Sequence, residues 1–244
     1  MVNTIGNPDF LFIADCKAAS YETRAEIDHG RGYYLFPLPM TGETPRHINE
    51  LVLNPGQELQ EIVLAPKEDQ DDEDRIVGKG FVVNKQMETR LEDGTIHQWR
   101  ERWMVSRSDA HAQRREKSFQ SRLEKAEEKL SKLKAKSKDT ADSFRMKAEK
   151  ILQACNVEDY LRLEINEAIT TQKKYIGRGR PGPKTPFEMV DIRSLTLSVH
   201  RNEEAIEQFR RLAGWRIFVT NVAEGRMTLN QSTQYYRDEW LVER

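Results

Sequence analysis

Cysteine is scarce in this 244-residue chain. Cys16 and Cys155 stand far apart with no second thiol near either, which argues against a disulfide framework and against a thiolate zinc site. Long apolar runs are lacking altogether. No stretch approaches the roughly 18 residues that a membrane helix needs. Charged residues make up 32% of the chain and mean hydropathy is -0.77, so no membrane partner is expected. Met1 to Asp15 has neither the basic start nor the cleavage site of a secretory signal, and a cytoplasmic location is expected. The histidines, His29, His47, His97, His111 and His200, show no pair at i, i+4 and no ligand spacing. No Ser-His-Asp or Cys-His grouping can be read, and the glycines form neither a dinucleotide nor a P-loop signature. An excess of one charge is missing too: 39 Lys+Arg meet 40 Asp+Glu, for a formal net charge of -1. That balance conceals blocks of opposite sign.

The length allows one domain with a large insertion or two modest domains. Phe10-Leu11-Phe12-Ile13-Ala14 is a short apolar run suited to a strand buried on both faces, and it ends at Asp15. Ala18 to Asp28 reads as a helix stopped by Gly30 and Gly32, and Tyr33-Tyr34-Leu35-Phe36 as the next strand. From Thr41 to about Arg107 the pattern turns to β, with strands expected at Glu61–Leu64, Ile76–Asn84 and Thr95–Val105 and a hairpin turn at Asp93-Gly94. Between the first two, Lys67 to Asp74 carries six acids and one base. A solvated loop or a calcium or magnesium site fits it, though the spacing is not that of an EF-hand.

Arg107 to Lys150 holds 14 Lys/Arg against 8 Asp/Glu and neither glycine nor proline. Phe119, Leu123, Ala126, Leu130 and Leu133 form one helical seam. Asp139 or Thr140 can cap a second helix carrying Phe144, Ala148, Ile151 and Cys155. A helical hairpin fits, and its basic excess is either a wet face or a phosphate contact. Gln172 to Arg193 reads as a basic loop, with Pro181, Pro183 and Pro186 blocking helix. Leu195–Val199 and Trp215–Thr220 look like strands around a short helix, Glu203–Leu212, and Ser232–Arg244 like a final helix.

Three features can carry chemistry. Asp15 ends a buried strand, where open α/β sheets bind ligands, or merely caps the turn that follows. Tyr236 and Glu243 share a face of the last helix, seven residues apart, as functional groups or as ordinary surface residues. Arg178-Gly179-Arg180-Pro181 is an extended string able to lie in a narrow minor groove, with Lys173, Lys174 and Lys184 near phosphates. A flexible basic linker is the alternative.

Four stretches in order resemble the DDE transposases of bacterial insertion sequences, in the branch with a large β-rich insertion between the second and third catalytic acids. Phe10 to Asp15, with the helix and the strand Gly32 to Phe36, resembles the second catalytic strand and its surroundings. Gly177 to Gly182 resembles a basic string of the insertion, and Trp215 to Asn221 the strand ending in Thr-Asn. Tyr235 to Arg244 resembles the helix with the third acid: Tyr236 and Glu243 match the tyrosine and glutamate of its signature, while Glu239 holds the arginine position.

The resemblance implies an α/β fold, an incomplete ribonuclease-H-like core interrupted by a β-rich and helical insertion. Residues 1–40 would hold the first part of the core, 41–184 the insertion and 185–244 the second part with the third-acid helix. It implies DNA transposition by metal-assisted strand cleavage and transfer, with Asp15 and Glu243 as catalytic ligands of Mg2+ or Mn2+. Lys173, Lys174, Arg178, Arg180 and Tyr236 would contact double-stranded DNA at the element ends, with a homodimer as a further partner. The family's first aspartate and final lysine have no counterpart in this sequence, which is expected to make it a truncated and catalytically weakened form. The rival functions are DNA binding without cleavage and a helical interaction scaffold.

Overall fold

The computed structural model describes residues 10–64, 75–176, 180, 182 and 185–242, the last five by their backbone alone. Its strands are β1 (Leu11–Ile13), β2 (Tyr33–Pro37), β3 (Gln60–Leu64), β4 (Arg75–Arg90), β5 (Ile96–Ser108), β6 (Leu161–Tyr175), β7 (Phe187–Arg201) and β8 (Trp215–Thr220). Its helices are α1 (Tyr21–His29), α2 (Thr44–Leu53), α3 (Asp109–Ser131), α4 (Ala141–Cys155), α5 (Glu203–Leu212) and α6 (Leu229–Val242), with one 3-10 turn at Cys16–Ala18. The fold is mixed α/β. No described helix is long and apolar enough to cross a membrane.

Two compact units result, Met1–Arg115 with Leu212–Arg244, and Glu116–Arg211. The first is built on a six-stranded sheet of order β1-β2-β8-β5-β4-β3, in which only β1 and β2 are parallel. Strand alternation sends Tyr34, Phe36, Trp103, Val105, Ile217 and Val219 to one buried face, where Ile48 of α2 joins them. Leu35, Met104 and Ile62 face the other way, into a second core with Met227 and Leu229 at the start of α6. Both faces of β2 are thus covered, whereas β1, the run expected to be buried on both faces, is half-buried along its length. The expected boundaries at 40/41 and 184/185 do not coincide with those of the compact units. The strands expected inside the insertion extend the same sheet, because β5 pairs with β8 over Arg102 to Arg107.

Polar groups bolt this sheet together. Arg24 of α1 is 2% exposed and Glu101 of β5 is fully buried. The Arg24 guanidinium donates to both Glu101 oxygens at 2.6 and 2.7 Å. Tyr34 Oη donates to Glu101 Oε1 at 2.6 Å, Trp103 Nε1 to Oε2 at 2.7 Å, and Trp99 Nε1 to Tyr34 Oη at 2.9 Å. Burial, followed by the adjacent carboxylate, pushes the Tyr34 phenol far above its ordinary range.

The Thr-Asn pair that ends β8 is a second bolt. Thr220 Oγ1 donates to the Tyr34 carbonyl at 2.5 Å and accepts from Val222 N at 3.1 Å. Asn221 Oδ1 accepts from Tyr34 N at 3.1 Å, while its Nδ2 donates to Asp28 Oδ1 at 2.8 Å and to the Gly32 carbonyl at 2.9 Å. One side chain joins β8, β2 and the end of α1. Asn221→Ala strands these partners and is expected to cost about 1–3 kcal/mol, read as a lower midpoint in urea unfolding. Asn221→Asp, which sets a carboxylate against Asp28, should cost more than Ala; the reverse order would break this account.

In the second unit, α3 and α4 form the expected hairpin. Phe119, Leu123, Ala126 and Leu130 meet Ala148, Leu152 and Cys155 in one core that also includes Leu161 and Ile206. The seam is therefore covered within the chain. Thr140 caps α4 by accepting from Ser143 N at 3.2 Å, and Ser143 Oγ returns the favour to Thr140 N at 2.9 Å. Asp139 instead pairs with Lys147 at 2.6 Å.

Two readings are corrected. Half of the expected basic loop Gln172–Arg193 is strand: β6 and β7 pair without a break from Leu161↔Arg201 to Tyr175↔Phe187. Pro186 precedes β7 and accepts from Ile176 N through its carbonyl, so it interrupts no ladder pairing, while Pro181 and Pro183 lie outside the described residues. The segment after Thr41 opens with a helix, α2, whose Pro45 sits in the first turn, where a proline lacks no hydrogen bond. The acidic stretch Lys67 to Asp74 lies outside the described residues.

Candidate functional site

Asp15 follows β1 and is exposed. Its backbone is extended and its Oδ1 accepts from Lys17 N at 2.8 Å, so it caps the 3-10 turn while standing at the carboxyl end of a sheet strand. Helix α6 packs on β1, β3 and β4. Glu243 lies outside the described residues, as does Arg178. Among the described residues no three metal-ligating side chains come together.

Tyr236 is half-buried on α6, its ring edge-on to Phe218 of β8 with centroids 4.8 Å apart. Both line a pocket of about 300 Å³ in the first unit. Five basic side chains border it: Arg107 at the end of β5, His111 and Arg114 in the first turns of α3, Arg216 on β8 and Arg237 on α6. Among the described residues no carboxylate lines it. Arg107 is committed, donating to the Ala213 carbonyl at 3.1 Å and pairing with Asp109 at 3.1 Å. Arg114, Arg216 and Arg237 are exposed and form no ion pair among the described residues. Burial, then the charges of Arg216, Arg115 and Arg114, hold the His111 imidazole below its ordinary range.

Register builds this pocket. Arg216 sits opposite Ser106 on the sheet face that α6 covers, the face of the Met104–Phe218 pair. Arg114 lies 102 positions away in sequence. Only the outward phase of Arg216, between the buried Trp215 and Ile217, hinted at its place.

Lys173 and Lys174 lie in the second unit on β6, and Arg180, exposed, lies between β6 and β7. From Asn166 to Tyr175 every residue of β6 is exposed, which at ~3.3 Å per residue is a ribbon of roughly 33 Å. Lys173 Nζ lies 4.5 Å from the centre of the Phe187 ring, and Lys174 faces Glu188 at 3.7 Å. The ribbon's end is closed by Ile176 N donating to the Pro186 carbonyl at 2.8 Å. The candidate residues thus fall into two groups, one in each unit. A comparison with family models finds no match, and comparisons with curated proteins and with solved structures find no significant one.

Proposed function

We propose that the chain is part of a DDE-type DNA transposase and that it holds duplex DNA through its β6–β7 ribbon. The observation that carries the binding function is a long two-stranded arm, exposed along most of both strands, with Lys173, Lys174 and Arg180 at or beside its end; Arg178 lies between Lys174 and Arg180 in sequence. A ribbon of this kind enters a DNA groove, and a glycine-flanked arginine string suits the strongly negative minor groove of A·T-rich duplex. The ribonuclease-H-like reading is supported by the parallel β1-α1-β2 unit with Asp15 at the end of β1, and by α6, which leads toward Glu243, packed on that strand. Among the described residues β1 has a partner on one side only, β2.

Asp15 and Glu243 are the metal ligands in this reading, and Mg2+ or Mn2+ the ion. A carboxylate alone does not make a two-metal site, so the reading assigns no cleavage step to the described residues. The helical scaffold has less support, since the α3–α4 seam is already buried within its own unit.

The test is binding of a labelled A·T-rich duplex across a salt series. Changing Lys173, Lys174, Arg178 and Arg180 together to Ala should lower affinity at least about tenfold at low salt. The slope of log K against log salt should flatten by up to about 3.6, or 0.9 for each lost phosphate contact. A variant that binds as tightly as the parent, with the same slope, would end the ribbon reading.

A further inference from the structure

The ribbon accounts for none of the basic side chains in the first unit. We propose that the pocket between α6, β8 and the start of α3 is a phosphate-binding site, with Arg114, Arg216 and Arg237 as its anion ligands. Three arguments carry this. Four arginines and His111 border it, and among the described residues no carboxylate lines it to neutralise them. Arginine side chains gathered around a concavity repel one another, an arrangement that an anion relieves and that a purely structural role does not need. Three of the four arginines are exposed and make no ion pair among the described residues; Arg114 gives its Nε to the Ala110 carbonyl at 3.2 Å, which leaves its two terminal nitrogens, with the guanidinium groups of Arg216 and Arg237, to meet phosphate oxygens.

The pocket's shape limits the ligand further. Ile62, Val77, Phe218 and Tyr236 give it an apolar floor, and about 300 Å³ is room for more than an inorganic ion. The ligand class is a phosphate carried on an organic group: either a phosphodiester of a nucleic-acid strand or a free nucleoside monophosphate. Tyr236 then has a definite task. Its ring, held edge-on by Phe218, walls the side of the pocket where the organic part of such a ligand lies. His111 reports on occupancy, because an anion beside it offsets the arginine charges that disfavour its protonation.

The experiment follows the His111 ring signals by NMR in the full-length chain, during separate titrations with adenosine monophosphate, inorganic phosphate and a short A·T-rich duplex. His111→Gln assigns the signals. Phosphate-bearing ligands should move His111 and raise its titration midpoint, and Arg114→Ala with Arg216→Ala should abolish the shift. If the source is nucleic acid, the duplex saturates the shift at lower concentration than the mononucleotide, and the double variant flattens the salt slope of duplex binding by about 1.8. If the source is a free nucleotide, the mononucleotide saturates first and duplex binding is untouched. A His111 signal that no phosphate-bearing ligand moves overturns the site, even where the ribbon still binds DNA. A His111 shift that persists when the ribbon variant shows DNA binding unchanged leaves the pocket standing and removes the ribbon reading instead.

Discussion

Glu101→Ala is expected to destabilise the first unit by about 3–5 kcal/mol, the range for breaking a buried ion pair from one side. The reason is the company the carboxylate keeps. Its two oxygens accept four hydrogen bonds, two from the Arg24 guanidinium and one each from Tyr34 and Trp103. Removing it leaves a guanidinium that is 2% exposed without counter-charge, together with two buried donors without an acceptor. Neither arginine nor aromatic can turn to solvent without opening the sheet face that holds Tyr34, Phe36 and Trp103. A double-mutant cycle isolates the pair. Glu101→Gln should cost clearly less in an Arg24→Met background than in the parent, because the stranded charge is gone. Urea unfolding followed by tryptophan fluorescence reads all four proteins, since Trp99 and Trp103 sit in the network. A loss under about 1 kcal/mol for Glu101→Ala would mean that water reaches Arg24.

The sequence made much of this architecture legible where the signal is local. The apolar run before Asp15, the seam from Phe119 to Leu130 and the Thr140 cap all depend on neighbours within one or two turns, and each stands where its pattern puts it. Long-range pairing is a different matter. Nothing near Glu101 in sequence says that it will face Arg24, which lies 77 positions away. A lone acid amid Trp99, Arg102 and Trp103 reads as the polar phase of a strand. The ribbon was hidden by its own composition: ten consecutive exposed residues of β6 bury no face, so the alternation that marks a strand fades into a polar run. The arginine pocket was hidden by topology, since its members come from four elements that only the β5–β8 register brings side by side. Asp15 was legible in place but not in role, because capping a turn and ending a catalytic strand require the same residue at the same position.

That dependence on register puts unusual weight on Gly214, the second of the two residues between α5 and β8. Its φ is +84°, and a Cβ built on it would lie 2.7 Å from Ala112 Cβ, 2.8 Å from the Ser108 carbonyl oxygen and 2.9 Å from Ala112 N. Two of those neighbours are backbone, which cannot swing aside as a flexible side chain can. Ser108 N also donates to the Gly214 carbonyl at 3.1 Å, so the start of β8 and the turn into α3 are held in direct contact. Gly214→Ala therefore combines a strained backbone with an overpacked contact, and a loss of about 2–4 kcal/mol is expected. Gly94 supplies the control: its φ is +87°, yet nothing lies within 4 Å of its missing Cβ. Gly94→Ala should show the backbone cost alone, about 1 kcal/mol. Thermal unfolding of the two variants separates the terms, and equal losses would show that the contact with Ala112 and Ser108 yields freely. Relief of that contact must push the start of α3 away from β8, carrying His111 and Arg114 from Arg216. Gly214→Ala should then blunt the His111 response to phosphate even at temperatures where the variant stays folded, whereas Gly94→Ala should leave it intact.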